Sequence, residues 1–397
     1  MPNNIKFFSA LTVQSSTVDA IADLTEQLQI QGFQTGIDSA DLALVFFSSH
    51  FTHHAELVRR ELQALLSPRV LLGSSAEGVV GDDREIEGLP SMSLILGRLP
   101  GIELKPFALQ EIDWSCFLLE PEGLVELLQA PANPRLFILL ADPFSTPIDD
   151  VLQAFNLAFP GIPVAGGMAS GALRPNGNAL ILDGQGYGSG AVGVALAGSL
   201  DIDILVSQGC RPIWRPFVVQ SANKNWIYQL ERKVPLEWLQ ELIPELSVEE
   251  RSLLQNGLFV GRAVKAGQDI LGQGDFLIRG VTAIDQKSGA IAVADQIQEG
   301  EVIQFHLRDS VTATEDLEMM LIPQMFSDPP DGALLFTCNG RGTRLYDHPD
   351  GDISVIRKNL GDLRLAGFFC AGEIGPIGEQ NFVHGHTASL VLFRSVE

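Results

Sequence analysis

One pattern recurs three times along the chain: an apolar strand, a helix, a second apolar strand and a loop of small residues. The paired strands begin at residues 42 and 70, 136 and 163, and 333 and 365, so their starts are 28, 27 and 32 residues apart. A crossover between parallel strands needs a dozen or more connecting residues and usually contains a helix. The pattern therefore predicts an α/β fold of repeated β-α-β units, with mainly parallel or mixed sheets and helices packed on them.

The residues between the paired strands favour helices. Ile148, Val151 and Phe155 are spaced three and four residues apart, as on one face of a helix. The strands are continuous apolar runs, as expected for strands that are covered on both faces. Each copy is followed by one more apolar run, at residues 92–96, 191–196 and 388–393.

Residues 257–310 have a different texture. Segments 276–284 and 290–294 flank a turn near Ser288-Gly289 and read as a β-hairpin, and residues 302–308 alternate like a half-buried strand. A polar, helical connector is predicted before them, over residues 223–255. The sequence thus predicts two modules, 1–225 and 226–397, with a β-hairpin insertion in the C-terminal module.

The charge balance excludes several classes of protein. The chain has 26 Lys and Arg against 49 Asp and Glu, a net charge of 26 − 49 = −23. Binding to nucleic acid or to anionic membranes needs the opposite sign, so neither is expected as a partner. Because 46% of the residues are hydrophobic and only 19% are charged, intrinsic disorder is excluded as well. The charge divides almost equally between the modules and indicates a solvated surface.

The chain is predicted to be cytoplasmic. It contains no unbroken apolar run of about 18 residues, and its first residues do not resemble a signal peptide. Its four cysteines are far apart and form no CxxC pair, which favours a reducing compartment and predicts no zinc cluster.

Small and polar residues follow the repeated strands, and they are the main candidates for ligand binding. Ligands of open parallel sheets bind beyond the carboxyl ends of the strands. Tight turns and close strand packing use the same residue types, so a purely structural role for these residues is the alternative. None of the loops has a phosphate-binding motif. The candidates in these loops are Ser74, Ser75, Glu77, Gly166, Gly167, Ser170, Cys338, Asn339, Arg341 and Glu373.

Charged residues among these candidates suggest how a ligand would be held. Aligning the first and third loops places Glu77 opposite Glu373, and either carboxylate can hold an amino group or transfer a proton. Arg341 and Arg211 can pair a ligand carboxylate through a bidentate fork. The alternative for each arginine is an internal salt bridge, and for each glutamate a solvated charge or a cap on a backbone N–H.

His384, His386 and Cys338 carry a second group of hypotheses. Two histidines that flank one residue of a strand point the same way, so His384 and His386 can face one pocket, or a haem iron. No further ligand pattern supports another metal, and structural histidines are the alternative. Cys338 can act as a nucleophile if a base adjoins it, or it can be a small buried side chain.

Short motifs lie at residues 206–213, 276–279, 305–309, 338–342, 372–376 and 384–388. In their residues and their order they resemble the motifs of the FIST family, named for F-box and intracellular signal transduction proteins. The resemblance implies an intracellular sensory module that binds small ligands such as amino acids, and some relatives bind haem and respond to nitric oxide. It implies no catalytic residue. The chain departs from the eukaryotic arrangement in having no room for an F-box, and Trp214 stands where the family commonly has Gly.

The sequence therefore predicts a non-enzymatic sensory protein that binds a small polar ligand and acts through a signalling partner protein. No cofactor is predicted. The alternatives are a haem-based nitric oxide sensor, a protein-interaction adaptor and, less favoured, an enzyme that uses Cys338 or the paired glutamates.

Overall fold

The computed structural model describes residues 5–264 and 272–396. Its α-helices are α1 Thr17–Ile30, α2 Ala55–Leu66, α3 Trp114–Leu119, α4 Glu122–Leu128, α5 Ile148–Ala158, α6 Pro235–Leu242, α7 Val248–Leu254, α8 Ser310–Leu321 and α9 Gly351–Leu360. The strands up to residue 200 are β1 Lys6–Thr12, β2 Leu42–Ser48, β3 Val70–Ala76, β4 Gly78–Val80, β5 Glu85–Glu87, β6 Met92–Arg98, β7 Glu103–Leu109, β8 Pro134–Ala141, β9 Val164–Met168, β10 Leu180–Leu182, β11 Gln185–Tyr187 and β12 Ala191–Ala197. The later strands are β13 Leu200–Gln208, β14 Cys210–Asn223, β15 Trp226–Leu230, β16 Phe259–Ala263, β17 Phe276–Ile284, β18 Ile291–Val293, β19 Val302–Arg308, β20 Gly332–Cys338, β21 Leu365–Cys370, β22 Glu373–Ile377, β23 Gln380–His384 and β24 Thr387–Ser395.

The three predicted β-α-β units are confirmed. Strands β2 and β3, β8 and β9, and β20 and β21 are parallel neighbours. Their crossovers contain α2, α5 and α9, at the three places where helices were predicted, and α5 contains the predicted apolar stripe. The apolar run after each unit forms β6, β12 or β24, and each of these strands pairs antiparallel with the first strand of its own unit.

Each unit builds one six-stranded sheet with the same strand order. One further strand, β1, β7 or β13, lies on the far side of the closing strand, which gives the orders β1-β6-β2-β3, β7-β12-β8-β9 and β13-β24-β20-β21. The chain therefore contains three copies of one larger unit, and the sequence revealed only the centre of each copy.

An exchange of short hairpins between the copies supplies the last two strands of each six-stranded sheet. The hairpin β4-β5 of the first copy extends the third sheet beside β21, β10-β11 of the second extends the first sheet beside β3, and β22-β23 of the third extends the second sheet beside β9. Each copy thus gives a hairpin to one neighbour and receives one from the other. This cycle joins residues that are far apart in the sequence.

A polar side chain secures each exchanged hairpin in the same way. Asp82 accepts the backbone N–H of Leu365 at 2.9 Å, and Asp183 accepts that of Leu71 at 2.9 Å. The amide oxygen of Asn381 accepts the N–H of Val164 at 2.7 Å. Burial raises the pKa of Asp82 and Asp183 above their usual range, although these hydrogen bonds oppose the shift.

The three sheets share one apolar core and each has a second core under its helices. The shared core includes Phe46, Leu140 and Phe336 from the first strands of the three units. Phe46 stacks on Phe368 with 4.9 Å between the ring centroids. Both faces of these strands are therefore buried, as their unbroken hydrophobic sequences predicted.

Residues 207–316 contain a closed six-stranded barrel in the order β14-β15-β18-β17-β16-β19. The predicted hairpin exists as β17-β18, with Gly289 at φ +73° in its turn. It is one part of the barrel rather than an isolated insertion, and the supposed helical connector contains β15 as well as α6 and α7. The barrel was not predicted from the sequence, because the regular strand pattern of β14 is interrupted. This strand contains Pro212 and Pro216, and its pairing shifts register between Ile213 and Phe217.

The described residues divide into two compact units. One contains residues of 1–206, 317–383 and 387–397 and holds the three sheets, and the other contains residues 207–316 and 384–386 and holds the barrel. We call them the sheet unit and the barrel unit. The predicted module boundary at residue 225 stays a prediction. None of the helices in the described ranges has the length and apolar character needed to cross a membrane.

Candidate functional site

The small-residue segments of the three copies contact one another within the sheet unit. Gly167 at the end of β9 pairs with Glu373 at the start of β22. The hydroxyl of Ser170 hydrogen-bonds the carbonyl of Phe369 and accepts the backbone N–H of Glu77 at 2.8 Å. The loops that the sequence singled out therefore meet in space.

Close packing explains the glycines at the centres of the second strands. Gly73, Gly166 and Gly367 are equivalent, because they pair with Val45, Leu139 and Leu335 of the first strands. A Cβ atom would lie 2.9, 1.9 and 1.9 Å from the carbonyl oxygens of these three partners. The absence of a side chain at Gly166 is thus a requirement of strand packing.

Ser74, Ser75 and Gly167 also have structural roles. The hydroxyl of Ser74 donates to the carbonyl of Ser75 at 3.1 Å, and both side chains are fully buried. The Ser75 hydroxyl bonds Asn178 at 3.3 Å and accepts the N–H of Ala179 at 2.9 Å. At Gly167 a Cβ atom would stand 2.3 Å from the sulfur of Cys370. These residues fix the first and second loops and leave the polar groups of the third loop as the best candidates.

A buried group of polar residues lies at the carboxyl ends of β20 and β21. We call it the strand-end cluster. Its members are Glu85, Cys338, Arg341, Tyr346, Asp352, Cys370, Glu373 and Thr387. The sequence predicted Cys338, Arg341 and Glu373, together with Asn339 beside them.

Arg341 and Asp352 form the centre of the cluster. The Arg341 side chain is 1% exposed and that of Asp352 is 0% exposed. The guanidinium Nε donates to Asp352 Oδ2 at 2.9 Å, and Nη2 donates to Oδ1 at 2.5 Å and to the Tyr346 hydroxyl at 2.8 Å. Burial alone would raise the pKa of Asp352, but the charge and hydrogen bonds of Arg341 hold it below the usual range. Arg341, proposed from the sequence as an anchor for a ligand carboxylate, is occupied by an internal carboxylate.

Glu85 joins the cluster from the exchanged hairpin of the first copy. One of its oxygens, Oε1, accepts the N–H groups of Asp352 and Ile353 at 2.9 Å, at the start of α9. Burial, and next the Asp352 carboxylate, raise the pKa of Glu85. Glu85 could not be predicted from the sequence, because it lies in a three-residue strand and its hydrogen-bond partners are 267 and 268 residues away.

Glu373 is fully buried and is held by one residue of β24. Its Oε2 accepts the backbone N–H of Thr387 at 3.1 Å and the Thr387 hydroxyl at 2.8 Å. Burial raises the pKa of Glu373 to about 8, against the opposing effects of Thr387, Arg341 and the Cys338 thiol. The carboxyl group is therefore mostly protonated at neutral pH and can both donate and accept a hydrogen bond.

The strand register corrects the alignment of Glu77 with Glu373. Because Gly166 pairs with Ile374 and Gly167 with Glu373, the equivalent hairpin position is Val79 in the first copy and Leu180 in the second. Both are fully buried and apolar. Glu77 instead lies at the surface in an ion pair with Arg344, whose Nη1 also donates to the carbonyl of Asn339 at 2.6 Å.

Cys338 and Cys370 are neighbours across the parallel strands. The sulfur of Cys338 accepts the N–H of Gly340 at 3.3 Å. Burial, then Glu373 and Cys338, raise the pKa of the Cys370 thiol well above its usual value. A carboxyl group thus stands beside the Cys338 thiol, and the nucleophile hypothesis stays open.

Three buried polar atoms of the cluster lack hydrogen-bond partners among the described residues. They are Arg341 Nη1, Glu373 Oε1 and Glu85 Oε2. The Arg341 charge acts on the pKa of both glutamates, so the three atoms belong to one electrostatic neighbourhood. A buried polar atom without a partner costs about 1–3 kcal/mol, and a bound polar group would offset that cost.

The other candidate residues lie in the barrel unit. Arg211 is paired with Asp309 at 3.5 Å between Nε and Oδ2. His384 is the last residue of β23, whereas His386 follows the strand with φ +63° and packs its ring on Phe259 at 4.6 Å. The premise that both histidines point the same way along one strand is therefore wrong.

The barrel unit also contains a buried histidine that the sequence did not single out. Burial lowers the pKa of His306 to about 4, and its Nδ1 bonds the carbonyl of Gln304 at 3.0 Å. The alternation of residues 302–308 placed His306 on the exposed face of a strand, but that face is covered. Among the described residues, no group of three or more His, Cys, Asp or Glu is arranged to hold a metal ion.

Comparison with known proteins identifies the family. The FIST N domain matches residues 41–233, and the FIST C domain matches residues 235–376. The chain belongs to the FIST family. FIST domains are associated with sensing in signal transduction.

The family relationship extends to mycobacterial proteins. An uncharacterized protein of Mycobacterium tuberculosis is 37% identical over 358 residues, which is 89% of this FIST chain and 91% of the relative. An uncharacterized protein of Mycobacterium bovis is 37% identical over 360 residues, or 90% of this chain and 91% of the relative. In this chain the FIST C match ends at residue 376 and includes the part of the strand-end cluster from Cys338 to Glu373.

Proposed function

We propose that this FIST protein is a cytoplasmic sensory module that binds a small polar ligand, such as an amino acid or a related metabolite, at the strand-end cluster. The observation that carries the proposal is the unpartnered donor Arg341 Nη1 together with the unpartnered Glu373 Oε1. Both atoms are buried at the carboxyl ends of parallel strands, where α/β proteins bind ligands.

The chemistry of these groups limits the ligand. Arg341 Nη1 can donate only, so it favours a carboxylate, carboxamide or other oxygen acceptor. Glu373, protonated at neutral pH, can accept from an amino or hydroxyl group and can also donate. An α-amino acid or its amide carries both kinds of group. Below about pH 8 the protonated Glu373 is better suited to an uncharged hydrogen-bonding group of the ligand. Above that pH the ionised Glu373 is better suited to a cationic group.

Ligand entry would require a change of conformation, which supports a sensory role. Arg341 and Glu373 are almost completely buried, so a ligand reaches them only if the residues that cover them move, and the turn at residues 339–344, which carries Arg341, is the segment that we propose opens. Opening that turn would disturb the surface contacts of Arg344 with Glu77 and Asn339. A ligand that prefers one of the two arrangements would shift their populations and alter the surface offered to a signalling partner.

A thermal-shift screen of amino acids, their amides and related metabolites tests the proposal. A ligand at 100 times its Kd stabilises the folded protein by about 2.7 kcal/mol. Any shift should shrink in Glu373→Gln and persist in Glu26→Gln, a matched substitution of an exposed carboxylate on α1. A screen without any shift, repeated with cell extract, would remove the ligand proposal, and an equal shift in both variants would remove this site.

A further inference from the structure

The end of helix α8 and the 3-10 turn that follows it expose several large apolar side chains, all of them in the sheet unit. The turn covers Pro323–Phe326. Met319, Ile322, Met325 and Phe326 are 59%, 49%, 53% and 87% exposed. The four residues lie within eight positions of one another, across the end of α8 at Leu321 and the start of the turn at Pro323. We call these four residues the α8 patch.

Buried residues of the same segment anchor the α8 patch to the sheet unit. Leu317 and Leu321 of the same helix are fully buried in the third sheet's outer core. The turn is fixed by Gln324, whose side-chain oxygen accepts from Arg394 Nη2 at 2.6 Å. Four large apolar side chains within eight residues are thus exposed on an anchored segment, and exposed apolar patches mark interaction sites on soluble proteins.

The charge around the α8 patch is uniformly acidic in sequence. Residues 309–331 contain six Asp or Glu and no Lys or Arg. In the sequence, the exposed residues Glu315 and Asp328 precede and follow the patch, and Glu318 beside Met319 is paired with Lys358 at 2.7 Å. An apolar surface with acidic borders is complementary to a surface that is apolar and basic.

We propose that the α8 patch docks a basic amphipathic helix of a partner protein. Two methionines give a surface that adapts to apolar side chains, and an amphipathic helix presents an apolar face of anchors that such a surface can accept. A second copy of the chain fits poorly, because each copy has a net charge of −23 and the patch segment offers no basic residue to offset it. This proposal is independent of ligand binding at the strand-end cluster.

Binding of a designed peptide to the full chain tests the proposal. The probe is a labelled 18-residue Leu/Lys peptide with an amphipathic helical pattern, and the control replaces each Lys by Glu. We expect the Leu/Lys peptide to bind at 50 mM salt, to gain helicity, and to weaken at least tenfold at 500 mM salt. The Leu/Glu peptide should not bind.

Matched variants locate the binding. Phe326→Ser and, separately, Met319→Ser should each weaken the Leu/Lys peptide at least tenfold. Leu173→Ser, at a residue that is 96% exposed elsewhere, should not. Equal binding by the wild type and both patch variants overturns the proposal, as does no binding at 100 μM peptide. A concentration-dependent dimer that disappears in Phe326→Ser also overturns it, since the occupant would then be a second copy.

Discussion

Replacing Glu373 by Gln should flatten the pH dependence of stability. The pKa of Glu373 rises from 4.5 to about 8 in the folded protein, mainly through burial. One pKa unit corresponds to about 1.4 kcal/mol, so a rise of 3.5 units corresponds to about 5 kcal/mol. Between pH 4.5 and 8 the folded chain keeps a proton that the unfolded chain has released. The contribution is therefore fully present below pH 4.5 and is lost as the pH rises through 8.

Urea unfolding at half-unit steps from pH 5 to 8.5 measures this effect. In the wild type, because the folded chain retains the Glu373 proton, the free energy of unfolding should fall by about 1.4 kcal/mol for each unit by which the pH rises within that window. Gln cannot titrate, yet its side-chain oxygen can still accept the two hydrogen bonds from Thr387. Glu373→Gln should therefore lose this part of the slope, and the exposed control Glu26→Gln should keep it. Parallel curves for the wild type and Glu373→Gln would refute the assignment of a raised pKa to this residue.

Three further predictions concern the buried ion pair, an exchanged hairpin and the close packing of the strands. Arg341→Met leaves Asp352 buried without its cation and should lower the free energy of unfolding by about 3–5 kcal/mol in urea titrations, and a loss below about 1 kcal/mol would contradict the buried pair. Asn381→Ala leaves the N–H of Val164 without its acceptor, so the free energy of unfolding should fall by about 1–3 kcal/mol and proteolysis near the exchanged hairpin should become faster. Unchanged proteolysis would mean that Asn381 does not secure this hairpin. Gly367→Ala places a Cβ atom 1.9 Å from a carbonyl oxygen of the neighbouring strand and should lower Tm by several degrees; an unchanged Tm would mean that the strands can separate freely.

The repeats were predictable because their signal is local. The strands of each β-α-β unit are apolar runs of five to eight residues, and the helix stripe between them has its own period. The hairpin exchange was not predictable, because strands such as β4 and β10 have three residues each and pair with other copies. The barrel was missed for a related reason: bulges and prolines interrupt the alternation along β14.

The candidate site shows the same division. Cys338, Arg341 and Glu373 follow strand ends and could be found by position. Their chemical state could not, because the buried partner of Arg341 is an aspartate that reads in the sequence as an ordinary acidic residue near the start of a helix. Glu85 reaches the cluster only through the exchange of hairpins. Sequence position therefore located the edge of the sheet, and tertiary structure decided which groups became ion pairs and which stayed protonated.

The comparison of the three copies is the strongest reason to assign the site to the third. At the position of Glu373 the other copies carry Val79 and Leu180, and all three residues are fully buried. Two of the three copies form the same sheet with an apolar side chain at this position, so the fold does not require a carboxyl group there. Above pH 8 the carboxyl group of Glu373 lowers the free energy of unfolding by several kcal/mol, because burial disfavours its ionised form. Natural proteins break local packing rules chiefly at functional sites, and a polar pocket shared equally by the copies would have placed polar residues in all of them. The apolar residues of the first two copies therefore argue for one asymmetric site, built where the third copy departs from the pattern.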